Sequence, residues 1–309
     1  FLSYKYNKKR IKIMKIFDCF MYFDEEVVVD VRLNTLDEFV DYFVIVESKY
    51  THKGDRRELR FNHKKFEKFK DKIIYVIDDQ IYSKTEKINP EDNEGEKSRK
   101  YIFNAAYREN GQRNLIIKGL SGAKNEDLIL ISDVDEIPKL SNLNLKEIHE
   151  QIILFRQDMF YYKFNLHLPN LIWTGTKACR KKHLTSPQWL RDIKDRKYSF
   201  FRFDTFFSKK KYMNIKIIND GGWHFSNIKT AKEIEHKLRS YLHHREFDAN
   251  PLSTNQIDKI IKNKQAIYDL KVDKTVKKIG NGGKLEKFEI NKLPNYIQIN
   301  QNNLKKWMD

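Results

Sequence analysis

Asp133, Asp135 and Glu136 stand together in DLILISDVDEIP (127–138), directly after four large aliphatic residues and just before Pro138. Two carboxylates this close repel each other unless a cation lies between them, so Asp-Val-Asp suits a hard metal with oxygen ligands. Mg²⁺ or Mn²⁺ held by few protein groups keeps coordination positions open for phosphate oxygens. The chemistry indicated is metal-assisted binding of a nucleoside diphosphate. The competing reading is an acidic turn that caps a following helix, since isolated Asp-x-Asp triplets are common. The run Leu128 to Ile131 favours the metal: a buried strand delivers its last side chains to the edge of a sheet, and Pro138 is expected to stop the ladder there.

Such a pair needs a scaffold, and the first half of the chain reads as strands alternating with helices. The segment 11–23 is apolar and β-rich, 24–40 has apolar residues at helical spacing after an acidic start, and 41–48 is a buried strand. A polar loop with Gly54, a basic amphipathic segment over 61–70 and a strand at 72–79 follow. The hydrophilic stretch 80–99 reads as a loop, and 100–120 as a helix broken or kinked near Gly111. This alternation predicts an α/β fold with a mostly parallel sheet and helices on both faces. Ligands then bind beyond the carboxyl ends of the strands, where Glu47, Asp78 to Asp79 and Asp133 to Glu136 converge.

The second half is richer in aromatic residues. Strands and a hairpin are expected over 158–175, a glycine-rich turn into a strand or loop over 220–228, and a helix over 229–244. The last sixty residues read as helical, interrupted at Gly280 to Gly283. The organisation expected is a basic tail (1–10), a core (11–228) and a helical C-terminal extension packed on the core (229–309).

With 309 residues, 40% hydrophobic and 33% charged, the chain is long enough for a sizeable core. No run approaches a membrane span and no secretory pattern is present, which favours the cytoplasm unless an anchor upstream of Phe1 has been removed. Cys19 and Cys179 read as free thiols. The balance of 60 basic to 43 acidic residues, +17 overall, suits polyanionic partners such as nucleic acid. Abundant Lys, Asn and Ile, as an A/T-rich genome produces, accounts for it equally well. A nucleic-acid-binding protein leaves the carboxylate pair unexplained, and a metal nuclease or phosphotransferase usually requires further acidic ligands.

A series of stretches resembles glycosyltransferase family 17, whose animal member adds the bisecting N-acetylglucosamine to N-glycans. They are KIFDCFMYFDE (15–25), RLNTLDEFVDYFVIVES (32–48), THKGD (51–55), REN with QRNLIIKGL (108–120), DLILISDVDEIP, WTGTKA (173–178), GWHFS (222–226) and LPNYIQIN (293–300). Together they cover most of the chain in the family order.

The resemblance implies a Rossmann-like fold of the GT-A type, an inverting reaction, a UDP-sugar donor, UDP-N-acetylglucosamine before others, Mn²⁺ or Mg²⁺, and a glycan or glycoprotein acceptor. Nucleic acid is then not expected as a partner. Asp133 and Asp135 match the family's metal-binding pair, with Glu136 beside them. His224 is expected to complete the metal site, the alternative being a hydrogen-bonded histidine in an aromatic core. Arg113 is expected to bind donor phosphate or orient an aspartate of the pair, unless it forms a helix-surface ion pair. Glu47 is expected against the uridine, and Asp18 at or near the donor, unless it is a strand-edge residue. An inverting transfer needs a carboxylate base, for which Asp220 is the first candidate and Asp204 and Glu136 the alternatives.

Overall fold

The computed structural model describes residues 14–196, 208, 211–240, 247–248, 251–268, 279–280 and 282–309. The basic tail and Asp204 lie outside the described residues. Four apolar runs form β1 (Ile16–Tyr22), β2 (Tyr42–Ser48), β3 (Ile73–Asp78) and β4 (Leu128–Asp133). They pair in parallel in the order β3-β2-β1-β4. The sheet continues from β4 through β7 (Leu166–Arg180), β6 (Ile152–Tyr161) and β9 (Gly222–Ser226) to β5 (Glu136–Pro138). β8 (Ile215–Ile218) pairs in parallel with β6, and β10 (Glu286–Lys287) pairs antiparallel with β7. The fold is α/β with a mixed, mostly parallel sheet. Antiparallel pairing also occurs at β4–β7, β6–β7 and β5–β9.

Successive strand residues point to opposite faces, and the core divides accordingly. Phe17, Cys19, Val44, Val46, Ile129 and Ile131 share one face with Ile116 and Leu190. Those two belong to the short helices α3 (Ile116–Gly119) and α4 (Pro187–Asp192). Phe20, Phe43, Ile45, Leu128 and Leu130 share the other with Val28, Val29, Leu33 and Leu36 of α1 (Glu26–Leu36). Helices therefore cover both faces.

Two expectations about helices are corrected. α2 spans Glu94–Asn114, starting inside the stretch read as loop. Asn93 caps it by accepting the Glu96 N–H while the Glu96 side chain accepts the Asn93 N–H, a reciprocal arrangement that outweighs the hydrophilic composition. The break falls at Leu115 rather than near Gly111. Gly111 serves packing instead, since a Cβ there would meet the Tyr82 ring at 2.0 Å.

Among the described residues the C-terminal extension is less helical than its composition suggests. Its described residues include α5 (Ala231–Ser240), α6 (Thr254–Lys262) and α7 (Asn295–Ile299), with short turns and β10. Ile234, Leu238 and Ile257 pack with Met159, Tyr161 and Tyr162 of the core. Leu293, Ile297 and Leu304 complete the cluster beneath α1. Among the described residues no helix is long and apolar enough to cross a membrane.

Candidate active site

β4 ends at Asp133, the chain turns through Val134 and Asp135, and it re-enters the sheet as β5. β5 ends at Pro138, but the proline is itself part of the ladder. It pairs opposite Gly222, and the next N–H, from Lys139, donates to Gly221 O at 2.9 Å. β5 ends the strand order, and an edge strand tolerates a proline because one side of it carries no partner strand.

The turn is braced from below. Arg32, on α1 and fully buried, donates from Nη1 to the carbonyls of Asp133, Val134 and Glu136 at 2.9–3.1 Å and from Nη2 to Ser132 Oγ. Its remaining donors meet Asp18, with Nε to Oδ2 at 2.8 Å and Nη2 to Oδ1 at 2.6 Å. Asp18 thus serves as the buried counter-ion of the arginine that shapes the turn. It is not among the residues lining the cavity described below.

Above the turn, Asp133 meets two more arginines. Arg113 Nη2 donates to Oδ1 and Arg191 Nη2 to Oδ2, both at 3.1 Å. Burial alone would raise the Asp133 pKa, but the charges of Arg191 and Arg113 outweigh it and hold the carboxyl well below the ordinary 3.8. Arg113 also donates to Glu109 one helical turn back at 2.7 Å, so an ion pair along the helix and a contact with an aspartate of the pair are both present.

Glu136 is fully buried and accepts from Arg191 at 2.7 and 3.0 Å, Trp173 Nε1 at 2.7 Å and the Asp133 N–H at 2.8 Å. Those bonds engage both carboxylate oxygens, which suits a structural anchor. Gly175 leaves room for the anchor: a Cβ there would lie 1.8 Å from Gln157 Oε1 and 3.0 Å from Glu136 Cδ.

β5 pairs with β9 so that Glu136 stands opposite His224. His224 Nε2 lies 3.4 Å from Asp135 Oδ1, and its Nδ1 is buried with no hydrogen-bond partner among the described residues. Burial lowers the His224 pKa, but Asp135, Glu136 and Asp133 outweigh it and raise the ring above 6.5. The same pairing acts on Asp135, whose carboxyl falls below 3.8 against the effect of burial.

Asp133, Asp135 and His224 line one cavity of about 260 Å³, together with Glu25, Thr51 and Lys237. It opens at the carboxyl ends of the parallel strands, the edge predicted from the sequence.

Other expected residues are placed elsewhere. Glu47, at the end of β2, is fully buried and accepts from Arg57, from the backbone N–H groups of Arg60 and Phe61 and from the Tyr75 hydroxyl. It anchors the 57–61 loop rather than lining the cavity. Asp220, the first candidate for the base, is placed apart from that cavity: it is exposed, paired with Lys139 at 2.6 Å and in the left-handed backbone region at φ 52°, lining a different cavity of about 870 Å³. His224 and Trp223 alternate across β9, so the two cavities lie on opposite faces of that strand.

Sequence reading missed Arg32, Arg191, Glu25 and Lys237. Arg32 lies in the RLNTLDEF stretch, and SPQWLRD carries a helix-start signal, with Ser186 as cap and Pro187 at the first turn. Neither signal says which carboxylate the arginine reaches.

Among the described residues no group of three or more His, Cys, Asp or Glu is arranged to hold a metal ion. Asp135 and His224 supply two adjoining donors, and two arginines occupy Asp133. A hard divalent cation is commonly held by one or two protein groups and completed by phosphate oxygens and water, so the residues fit a metal seated with its substrate. In comparisons with known proteins, no curated protein matches this chain. A family model described as glycosyltransferase family 17 matches residues 3–308.

Proposed function

The chain belongs to glycosyltransferase family 17, and from that premise we propose that it transfers N-acetylglucosamine from UDP-N-acetylglucosamine, with Mn²⁺ or Mg²⁺, to a glycan hydroxyl in β linkage. Family membership makes it a transferase with a sugar donor and a glycan acceptor. The observation that carries the finer reading is the cavity walled by Asp133, Asp135 and His224 at the carboxyl ends of parallel strands. Open α/β sheets bind nucleotides at that edge.

In this reading Asp135 and His224 would hold the cation, while Arg113 and Arg191 fix the Asp133 carboxylate. The metal's contribution is to neutralise charge on the departing diphosphate. The acceptor oxygen forms a bond to the anomeric carbon as the bond from that carbon to the diphosphate oxygen breaks. The hydroxyl proton passes to a carboxylate base on the cavity wall, where Glu25 and Glu109 are the carboxylates besides the aspartates.

The test is a panel of sugar nucleotides with Mn²⁺, scored by release of nucleoside diphosphate, beside calorimetric titration of UDP into the wild type and Asp135→Ala. Release from UDP-N-acetylglucosamine and loss of metal-dependent UDP binding in the variant are expected. UDP affinity that ignores both the metal and the substitution would refute the assignment.

A further inference from the structure

Lys237 stands on α5 at the wall of the same cavity, and the reading above gives it no role. Its ammonium lies 3.7 Å from Glu25 Oε1, an ion pair longer than a hydrogen bond. The negative charges facing it come from Glu25, Asp135, Asp24 and Asp133. Each of these has another attachment. Glu25 Oε2 accepts the N–H groups of Phe23 and Asp24, Asp24 pairs with Lys229, Asp133 holds two arginines, and Asp135 meets His224. Lys237 is thus a loosely held cation in a cavity whose carboxylates are otherwise engaged.

From this placement we propose that Lys237 is a ligand for the diphosphate of the sugar-nucleotide donor, neutralising Glu25 and the aspartates in the empty cavity and passing to a phosphate oxygen when the donor enters. The proposal rests on reading the cavity as the donor site. A lysine suits the task because its flexible four-carbon stem carries three donors that re-aim without a fixed geometry. The burial of Lys237 works against its charge, yet Glu25 and Asp135 raise its pKa above 10.5, so the cation is present at neutral pH.

One consequence separates this role from a purely structural one. A divalent cation and the Lys237 ammonium are attracted to the same carboxylates, so without a donor the lysine weakens metal binding. With a diphosphate present, both cations have an anionic partner. Removing the ammonium should therefore strengthen binding of metal alone and weaken binding of UDP alone. A lysine that only pins α5 to the start of α1 through Glu25 gives no such opposition of sign.

The experiment titrates Mn²⁺ alone, and UDP alone in chelator, into the full chain carrying Lys237→Met or Lys237→Arg. Lys237→Met should bind Mn²⁺ several-fold tighter and UDP roughly ten- to a hundredfold more weakly, as expected for a lost charge-assisted contact. Lys237→Arg should retain most of the UDP affinity. Unchanged UDP affinity in Lys237→Met, or a parallel weakening of both ligands with a lowered melting temperature, would overturn the proposal. Should Lys237→Met not fold, Glu25→Gln tests the same point: releasing Lys237 from its partner should tighten UDP binding in chelator, and no change counts against it. If the wild type binds no UDP with or without Mn²⁺, the donor-site reading itself fails.

Discussion

Arg32→Met removes the guanidinium that joins Asp18 to the turn carrying Asp133 and Asp135. Both side chains of the pair are 0% exposed, so Asp18 would be left as an unpaired carboxylate shut away from water. Stripping one partner from a buried ion pair costs about 3–5 kcal/mol. The carbonyls of Asp133, Val134 and Glu136 lose their donor as well, which places the expected loss at the upper end of that range. Asp18→Asn with Arg32→Met removes both charges and should recover about 2–3 kcal/mol, the coupling expected of neighbours in one network. Urea unfolding followed by tryptophan fluorescence measures these values, and titration with UDP and Mn²⁺ measures the site. The double variant should regain stability but not UDP affinity, because the turn still lacks its brace. An Arg32→Met protein within 1 kcal/mol of wild type, or a double variant as unstable as the two single losses summed, would refute the reasoning.

Asp220→Asn should leave turnover within about twofold, against the factor of roughly 10²–10⁴ expected for losing a general base; UDP release by the two proteins decides it. Gly175→Ala should cost about 1–3 kcal/mol by forcing Gln157 and Glu136 from their places, with UDP affinity reduced, as unfolding and titration would reveal. Lys177 donates to the carbonyls of Arg191 and Ile193 at the end of α4, and burial, with the charge of Arg191 adding to it, pushes its pKa down to about 8. Since the unfolded chain holds that proton up to about 10.5, it binds more protons than the folded state between those values, and stability should rise from pH 8 toward 10.5. Urea unfolding at pH 7.5, 9 and 10 should show that rise reduced in Lys177→Met.

The parallel half of the sheet was legible because each strand is a short, predominantly apolar run that no amphipathic helix explains. Asp133 and Asp135 were legible for a related reason: charges directly after Leu128 to Ile131 must emerge where the strand does. Asp18 and Glu47 were recognisable as carboxylates in strands, but their roles depend on Arg32 and Arg57, and a linear pattern does not show which cation meets which anion. Asp220 was hard to place because an acidic residue before two glycines suits both a reactive loop and a left-handed turn. The structure holds the turn, on the face of β9 away from His224. Among the described residues the C-terminal helices were over-read because amide- and lysine-rich composition fits a helix surface as well as it fits short turns anchored by a few apolar residues.

Those few anchors also govern how the protein can be made. The Tyr296 hydroxyl bonds to Asp30 across 266 residues, and Leu293, Ile297 and Leu304 supply apolar cover beneath α1. At 5–20 residues per second, a ribosome would take roughly 15–50 s between releasing Asp30 and releasing its partner. For that interval the nascent chain presents an incompletely covered apolar surface, with the sheet's long-range pairings also waiting on later strands. Such a chain is exposed to aggregation during synthesis, and its yield in a heterologous host should depend on translation speed and chaperone supply.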